Sequence, residues 1–273
     1  MVAYEVTDKV FIVTGGATGL GALMVRSFLK EGARYIAFLD IAQDAGLALE
    51  SELNTKHGEG KVKFIKCDVT DEDGLLSAYD EVAKAAGYVD VVINNAGIMN
   101  DSKKLYKKEI AINVTALVTG TLKAVELMRK DKGGRGGTVI NISSIAGLVQ
   151  SPILPIYFAT KSAVLQFSNC IGMEPHHSRT GVRVIAMCFG ATDTPLLSPE
   201  KIGGCDDVSD AELPERTKQF YWQRPESAVA GVVEAFKKGA SASTWLAAND
   251  KPVIDITDNV KEAYNVLSRG VFP

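Results

Sequence analysis

Cysteine is scarce in this chain of 273 residues: Cys67, Cys170, Cys188 and Cys205 are scattered, with no Cys-x-x-Cys pair. That usage argues against a disulfide framework and fits reduced thiols in the cytoplasm. Histidine is scarcer still, at 57, 176 and 177. Neighbouring helical residues point about 100° apart, so His176 and His177 do not readily share one ion, and no metal site is expected. There is no basic run either. Thirty lysines and arginines are interspersed with 33 acidic residues for a net charge of -3, which leaves no stripe to neutralise nucleic-acid phosphates and excludes nucleic acid as an expected partner. The opening MVAYEVTDKV lacks the charged start and apolar stretch of a signal peptide, and no later apolar run reads as long enough to span a bilayer. A soluble, cytoplasmic protein without a membrane span is therefore expected. Asn113-Val-Thr and Asn141-Ile-Ser match the glycosylation sequon, but both lie in stretches that read as buried, and chance explains them better.

What the chain has in quantity is apolar side chains, 46% of the total. That suffices for the core of one α/β domain covering 1–273, with 249–273 as a C-terminal tail. Short runs rich in Val and Ile alternate with longer stretches of helical period, the pattern of repeated βαβ units. Strands are predicted near 9–14, 34–40, 62–67, 89–94, 137–143, 181–188 and 243–247. The first five have continuously apolar cores, such as Val10-Phe11-Ile12-Val13 and Val91-Val92-Ile93, as expected when helices cover both faces. A doubly wound, mainly parallel, seven-stranded sheet of Rossmann type follows. In such sheets ligands bind beyond the carboxyl ends of the strands.

Four successive strand ends carry small or polar groups. After the first comes TGGATGLG, with Gly15, Gly19 and Gly21 leading into a helix that begins near Leu20. Glycines let backbone approach a pyrophosphate, and the helix N-terminus offers free N–H groups and positive dipole; the plainer reading is a glycine-rich turn. Asp40 closes the second strand, nineteen residues beyond Gly21. A carboxylate there can accept from ribose hydroxyls or cap the next helix, and it would repel a 2′-phosphate, so NAD is favoured over NADP. Asp68-Val69 ends the third strand and Asn94-Asn95-Ala96-Gly97 the fourth. Further on, Tyr157 and Lys161 are four apart and so share one helix face, with Ser144 at the end of the fifth strand able to lie opposite. An ammonium beside the phenol should lower its pKa toward a usable base.

This ordered set resembles the short-chain dehydrogenase/reductase family from about Lys9 to Ala248. Its residues here are Gly15-x-x-x-Gly19-x-Gly21, Asn94-Asn95-Ala96-Gly97, Asn113, Ser144 and Tyr157-x-x-x-Lys161. Cys67-Asp68-Val69 and the TDTPLL segment look most like the branch holding insect-type alcohol dehydrogenases and NAD-dependent 15-hydroxyprostaglandin dehydrogenase. The resemblance implies a metal-independent enzyme that moves hydride from a lipophilic, secondary alcohol to NAD. Tyr157 would be the general base and Ser144 would hold the substrate oxygen. Lys161 would bond the nicotinamide ribose, and Asn113 would kink its helix and hold a relay water. It also implies cofactor contacts from Gly15, Thr18, Gly19, Leu20, Gly21, Asp40, Asp68, Val69, Asn95, Tyr157, Lys161, Thr192 and Thr194. Phe189 stands where the family has proline, and it is a candidate wall of the site. The apolar stretch 148–156 and Leu196, Leu197, Phe220, Tyr221 and Trp222 flank the reacting carbon or pack an interface. The helices near 103–130 and 157–175 resemble those that assemble homodimers and homotetramers. Rival readings are an NAD(H)-dependent carbonyl or ketosteroid-type reductase and a non-catalytic NAD-binding paralogue.

Overall fold

A computed structural model describes residues 4–271. Seven parallel strands run β1 (Val10–Thr14), β2 (Tyr35–Asp40), β3 (Val62–Lys66), β4 (Val91–Asn94), β5 (Gly137–Ser144), β6 (Val182–Phe189) and β7 (Ser243–Ala247). Their spatial order is β3-β2-β1-β4-β5-β6-β7. The order reverses between β1 and β4, and the crevice at that switch point is where a doubly wound sheet receives its ligand.

Alternate residues of each strand feed opposite faces. Phe11 and Val13 of β1 enter a core with Met24 and Phe28 of α1 (Gly19–Lys30), Leu49 of α2 (Gln43–His57), and Val232 and Phe236 of α9 (Pro225–Lys238). Val10 and Ile12 enter a second core with Leu75 and Tyr79 of α3 (Glu72–Ala86) and Ala124 and Met128 of α5 (Leu117–Met128). Because both faces are dry at β1, β2, β4 and β6, those strands carry no polar alternation, whereas β3 alternates, with Lys63 and Lys66 exposed. A buried polar chain ties the second layer together. Asn94 accepts from the Tyr79 hydroxyl at 3.1 Å and donates to Thr121 and Asn141, and Asn141 donates to Ser168 of α6 (Pro155–Gly172). Asn113 and Asn141, of the two sequons, are both fully enclosed.

The expectation of seven strands is corrected by one. β8 (Ile254–Asp255) pairs antiparallel on the far side of β7, Trp245 opposite Asp255 and Leu246 opposite Ile254. Two exposed residues carry no periodic signal, so nothing in the local sequence announces this strand. It leads into α10 (Thr257–Leu267), which buries Val260 and exposes Val266 and Leu267. The tail thus closes the sheet edge, and Phe272 lies outside the described residues.

A second correction concerns the helix through α4 (Tyr106–Ile110), a π-turn at 111–116 and α5. Its 23 residues are long and apolar enough to cross a membrane by length and composition. Here Ile112, Ala116, Ala124 and Met128 pack in the second core against the sheet, and Leu117 is buried. Among the described residues the other α-helices are α7 (His176–Thr180) and α8 (Asp207–Thr217), the latter between β6 and α9.

Candidate active site

The glycine turn is built against the end of β4. Gly15 and Gly16 donate their N–H groups to Leu39 O, and Ala17 donates to Asp40 Oδ2 at 3.0 Å. Gly19 sits at φ +54°, and a Cβ on Gly21 would stand 1.9 Å from Gly15 O, so no larger residue fits. The N–H groups of Leu20 and Gly21 are in the first turn of α1, where no intrahelical acceptor exists. Thr18 caps that turn in an extended conformation without a side-chain bond. Asn95 fixes the turn: its Nδ2 donates to Thr14 O and Gly15 O, both at 3.0 Å. Thr14, which sequence reasoning passed over, accepts from the N–H of Asn95 and Ala96 through its hydroxyl. Its position, last in an apolar strand before two glycines, was the available signal.

Asp40 takes one backbone N–H on each oxygen, Ala17 on Oδ2 and Ala42 on Oδ1. The remaining lone pairs are free to accept from a ligand. Asp40 thus braces the glycine turn through Ala17, while α2 begins from Ala42, which carries no side-chain cap bond. Asp68 is held below the usual carboxylate range by the Thr70 N–H, with the Thr70 hydroxyl and Lys108 assisting. Val69 beside it is buried.

Asn113 lies in the π-helical turn, an irregularity that interrupts the α4–α5 helix. Its Oδ1 accepts from Ile98 N and its Nδ2 donates to Ile98 O, each at 2.9 Å, and also to Thr160 Oγ1. Thr160 in turn donates to Tyr157 O at 2.7 Å. Asn113 is thus clamped between the β4 loop and α6.

Ser144 ends β5, accepting from Ala146 N and donating to Phe189 O. Tyr157 and Lys161 project from the same face of α6, with Lys161 Nζ 5.6 Å from the Tyr157 ring centroid. Lys161 is 5% exposed and donates to Ile142 O at 3.1 Å. Burial pulls its ammonium down to about 8, partly opposed by Glu109. Burial also pushes the Tyr157 phenol up to about 12, with Ser144 favouring the phenolate and Glu109 opposing it. The lowering expected from Lys161 is not found among the protein's own groups: desolvation of the phenolate is the largest effect, and only the Ser144 hydroxyl opposes it.

The loop after β6 lies over the glycine turn. A Cβ on Gly19 would meet only Thr194 Cβ at 4.0 Å and Pro195 Cδ at 3.9 Å. Thr192 is buried, donates to Gly190 O and accepts from Gln223 Nε2. Thr194 donates to Thr192 O. Gln223, also missed from sequence, joins this loop to β7 through Ala247 O. Phe189 is not a wall of the site: it packs in the first core among Met187 and Ala247. The wall beside Tyr157 is apolar, made by Met99, Leu154, Leu196, Leu197, Ile202 and Leu213. Phe220, Tyr221 and Trp222 lie outside that cluster and are exposed. Two further acids, Asp101 and Glu109, are enclosed at the N-terminus of α6.

A glycine turn at the switch point of a parallel sheet, facing a Ser-Tyr-Lys cluster, defines a dinucleotide-dependent oxidoreductase fold. Residues 9–202 match the short chain dehydrogenase family, and the chain belongs to it. It is 35% identical over 193 residues to 15-hydroxyprostaglandin dehydrogenase [NAD(+)] of Bos taurus, covering 71% of each chain. Alcohol dehydrogenase 1 of Ceratitis cosyra is 33% identical over 241 residues, covering 86% of this chain and 91% of the fly protein.

Proposed function

We propose that this protein oxidises a lipophilic, secondary alcohol with NAD, using Tyr157 as the general base. The observation that carries the reading is the enclosed Ser144–Tyr157–Lys161 cluster, flanked on one side by the glycine turn and on the other by an apolar wall.

The residues present fit NAD. The backbone at Gly19 carries no side chain toward Thr194 and Pro195, the first N–H groups of α1 are without intrahelical acceptors, and Asp40 offers lone pairs to a ribose while its charge disfavours a 2′-phosphate. Gly15, Thr18, Gly19, Leu20 and Gly21 would hold the pyrophosphate. Asp40, Asp68 and Val69 would surround the adenosine, and Thr192 and Thr194 the nicotinamide. Bound NAD supplies the hydride acceptor and a positive ring. Tyr157 takes the hydroxyl proton as the carbinol carbon gives up its hydride, leaving a ketone. Ser144 donates to the substrate oxygen. Lys161, within the same enclosure, holds the ribose and adds positive potential near the phenol. The neutral phenol that burial favours is also the acid of the reverse, carbonyl-reducing direction.

Met99, Leu154, Leu196, Leu197, Ile202 and Leu213 offer no charged clamp, which supports an apolar substrate body. Exposed Ile110 and Leu122 along α4 and α5 support assembly as a homodimer or homotetramer. The four free cysteines accord with a cytoplasmic setting.

Tyr157→Phe tests the reading, because it removes one hydroxyl and leaves the ring. Turnover of an apolar secondary alcohol should fall roughly a hundred- to ten-thousand-fold, about 3 to 5 kcal/mol of barrier, with NAD affinity nearly unchanged. A variant that keeps turnover within about tenfold leaves Tyr157 as a packing residue.

A further inference from the structure

Two carboxylates are enclosed beside the catalytic helix: Asp101 is 1% and Glu109 0% exposed. Asp101 Oδ2 accepts from Ile156 N at 2.6 Å and Oδ1 from Tyr157 N at 2.9 Å, so it caps the first turn of α6 at Tyr157 itself. Its own N–H donates to Gly203 O, and the adjacent Asn100 Nδ2 donates to Lys201 O. The Asn100–Asp101 strap therefore joins α6 to the segment carrying Ile202 of the apolar wall. Glu109 stands behind the strap. Its Oε1 accepts from Asn100 N at 3.0 Å, while its buried Oε2 has no donor among the protein's groups.

Two ionised carboxylates enclosed together repel each other and leave Oε2 without a bond. One proton on Glu109 removes a charge and turns Oε2 into a donor toward Asp101, which accepts on its remaining lone pairs. We infer that Glu109 is a positioning residue: in its acid form it donates to Asp101 and so holds the strap, the first turn of α6 and the 201–203 segment in one arrangement around Tyr157. The inference rests on Tyr157 being the working base.

The charged and titratable groups around Glu109 are Asp101 from the β4–α4 loop and Lys161 and Tyr157 from α6. Burial pushes Glu109 up to about 8, with the Asp101 charge adding and Lys161 opposing. A carboxyl raised in the folded state contributes stability that is complete below the ordinary carboxylate range and lost as pH rises through the folded value. The lock is therefore present at neutral pH and released on the alkaline side.

The test compares full-length wild type with Glu109→Gln, whose amide donates at every pH, and Glu109→Leu, which cannot donate. Thermal unfolding from about pH 6 to 9 needs no substrate, and wild type should lose Tm relative to Glu109→Gln as pH rises. With saturating NAD and alcohol, Glu109→Gln should rescue kcat to within about threefold at neutral pH, and between about pH 7 and 9 it should hold kcat at least about threefold better than wild type. Glu109→Leu should lose about tenfold in kcat with KM for NAD unchanged; if it fails to fold, the glutamine comparison decides. Parallel melting and pH–rate curves for wild type and Glu109→Gln overturn the inference. Divergent melting curves in a protein whose Tyr157→Phe variant stays active uphold the Glu109–Asp101 bond and sink the catalytic reading instead.

Discussion

Replacing Gly21 by alanine is a severe perturbation despite its size. The added Cβ would lie 1.9 Å from Gly15 O and 2.8 Å from Asn95 Nδ2. Relieving the first contact needs a shift of about 1 Å between the turn, pinned by Gly15 N to Leu39 O and by Asn95 to Thr14 and Gly15, and buried Gly21 inside helix α1. Overpacking of this kind costs about 3 kcal/mol, the upper end of its usual range, because the nearer partner is backbone and the other is an amide held by two hydrogen bonds. For a chain of this size that is a fall in Tm of roughly 6 to 12 °C. Gly19→Ala makes the control. Its Cβ meets nothing nearer than 3.9 Å, so the cost is only that of holding alanine at φ +54°, about 1 to 2 kcal/mol. Thermal melting and NAD titration by calorimetry read both variants. Gly21→Ala should melt well below Gly19→Ala and bind NAD at least about tenfold more weakly than wild type, since the moved carbonyl carries the turn with it. Melting points equal within about 1 °C, or NAD affinity retained within about threefold in Gly21→Ala, would refute the steric argument.

Two further outcomes follow from the same geometry. Asp40→Ala removes both the charge facing a 2′-phosphate and the acceptor for Ala17 N and Ala42 N, so the preference for NAD over NADP should narrow by about tenfold or more while Tm falls; unchanged dissociation constants for both cofactors would refute it. Sedimentation at micromolar concentration should give a dimer or tetramer, with Leu122→Glu on the exposed face of α5 shifting it toward monomer; a wild-type monomer would reject assembly through that helix.

Much of this site was legible because it is local. The apolar runs that became β1 to β7 lie within one or two residues of their predicted bounds. The glycine turn needs glycines wherever it occurs, and Tyr157 and Lys161 share a helix face by spacing alone. Asn113 was legible only through the family pattern, since a π-turn is not written in residues 111–116 by any periodicity. Thr14 and Gln223 act by crossing from one strand end to another over long sequence separations, and polar residues in such positions look like any other strand or loop residue.

The sequence by itself determined the parallel sheet, the glycine turn, the acidic residue closing β2 and the Tyr157–Lys161 pairing, because each depends on backbone conformation or on spacing of a few residues. Tertiary structure alone decided the short eighth strand, which forms because β7 offers an edge. It also decided that Phe189 enters the core and that the Glu109 carboxyl is enclosed with Asp101 inside the protein. The state of Tyr157 belongs to this second group as well. The nearby ammonium is visible in the spacing, but desolvation is set by every distant segment that excludes water from the phenol, and here that larger effect prevails.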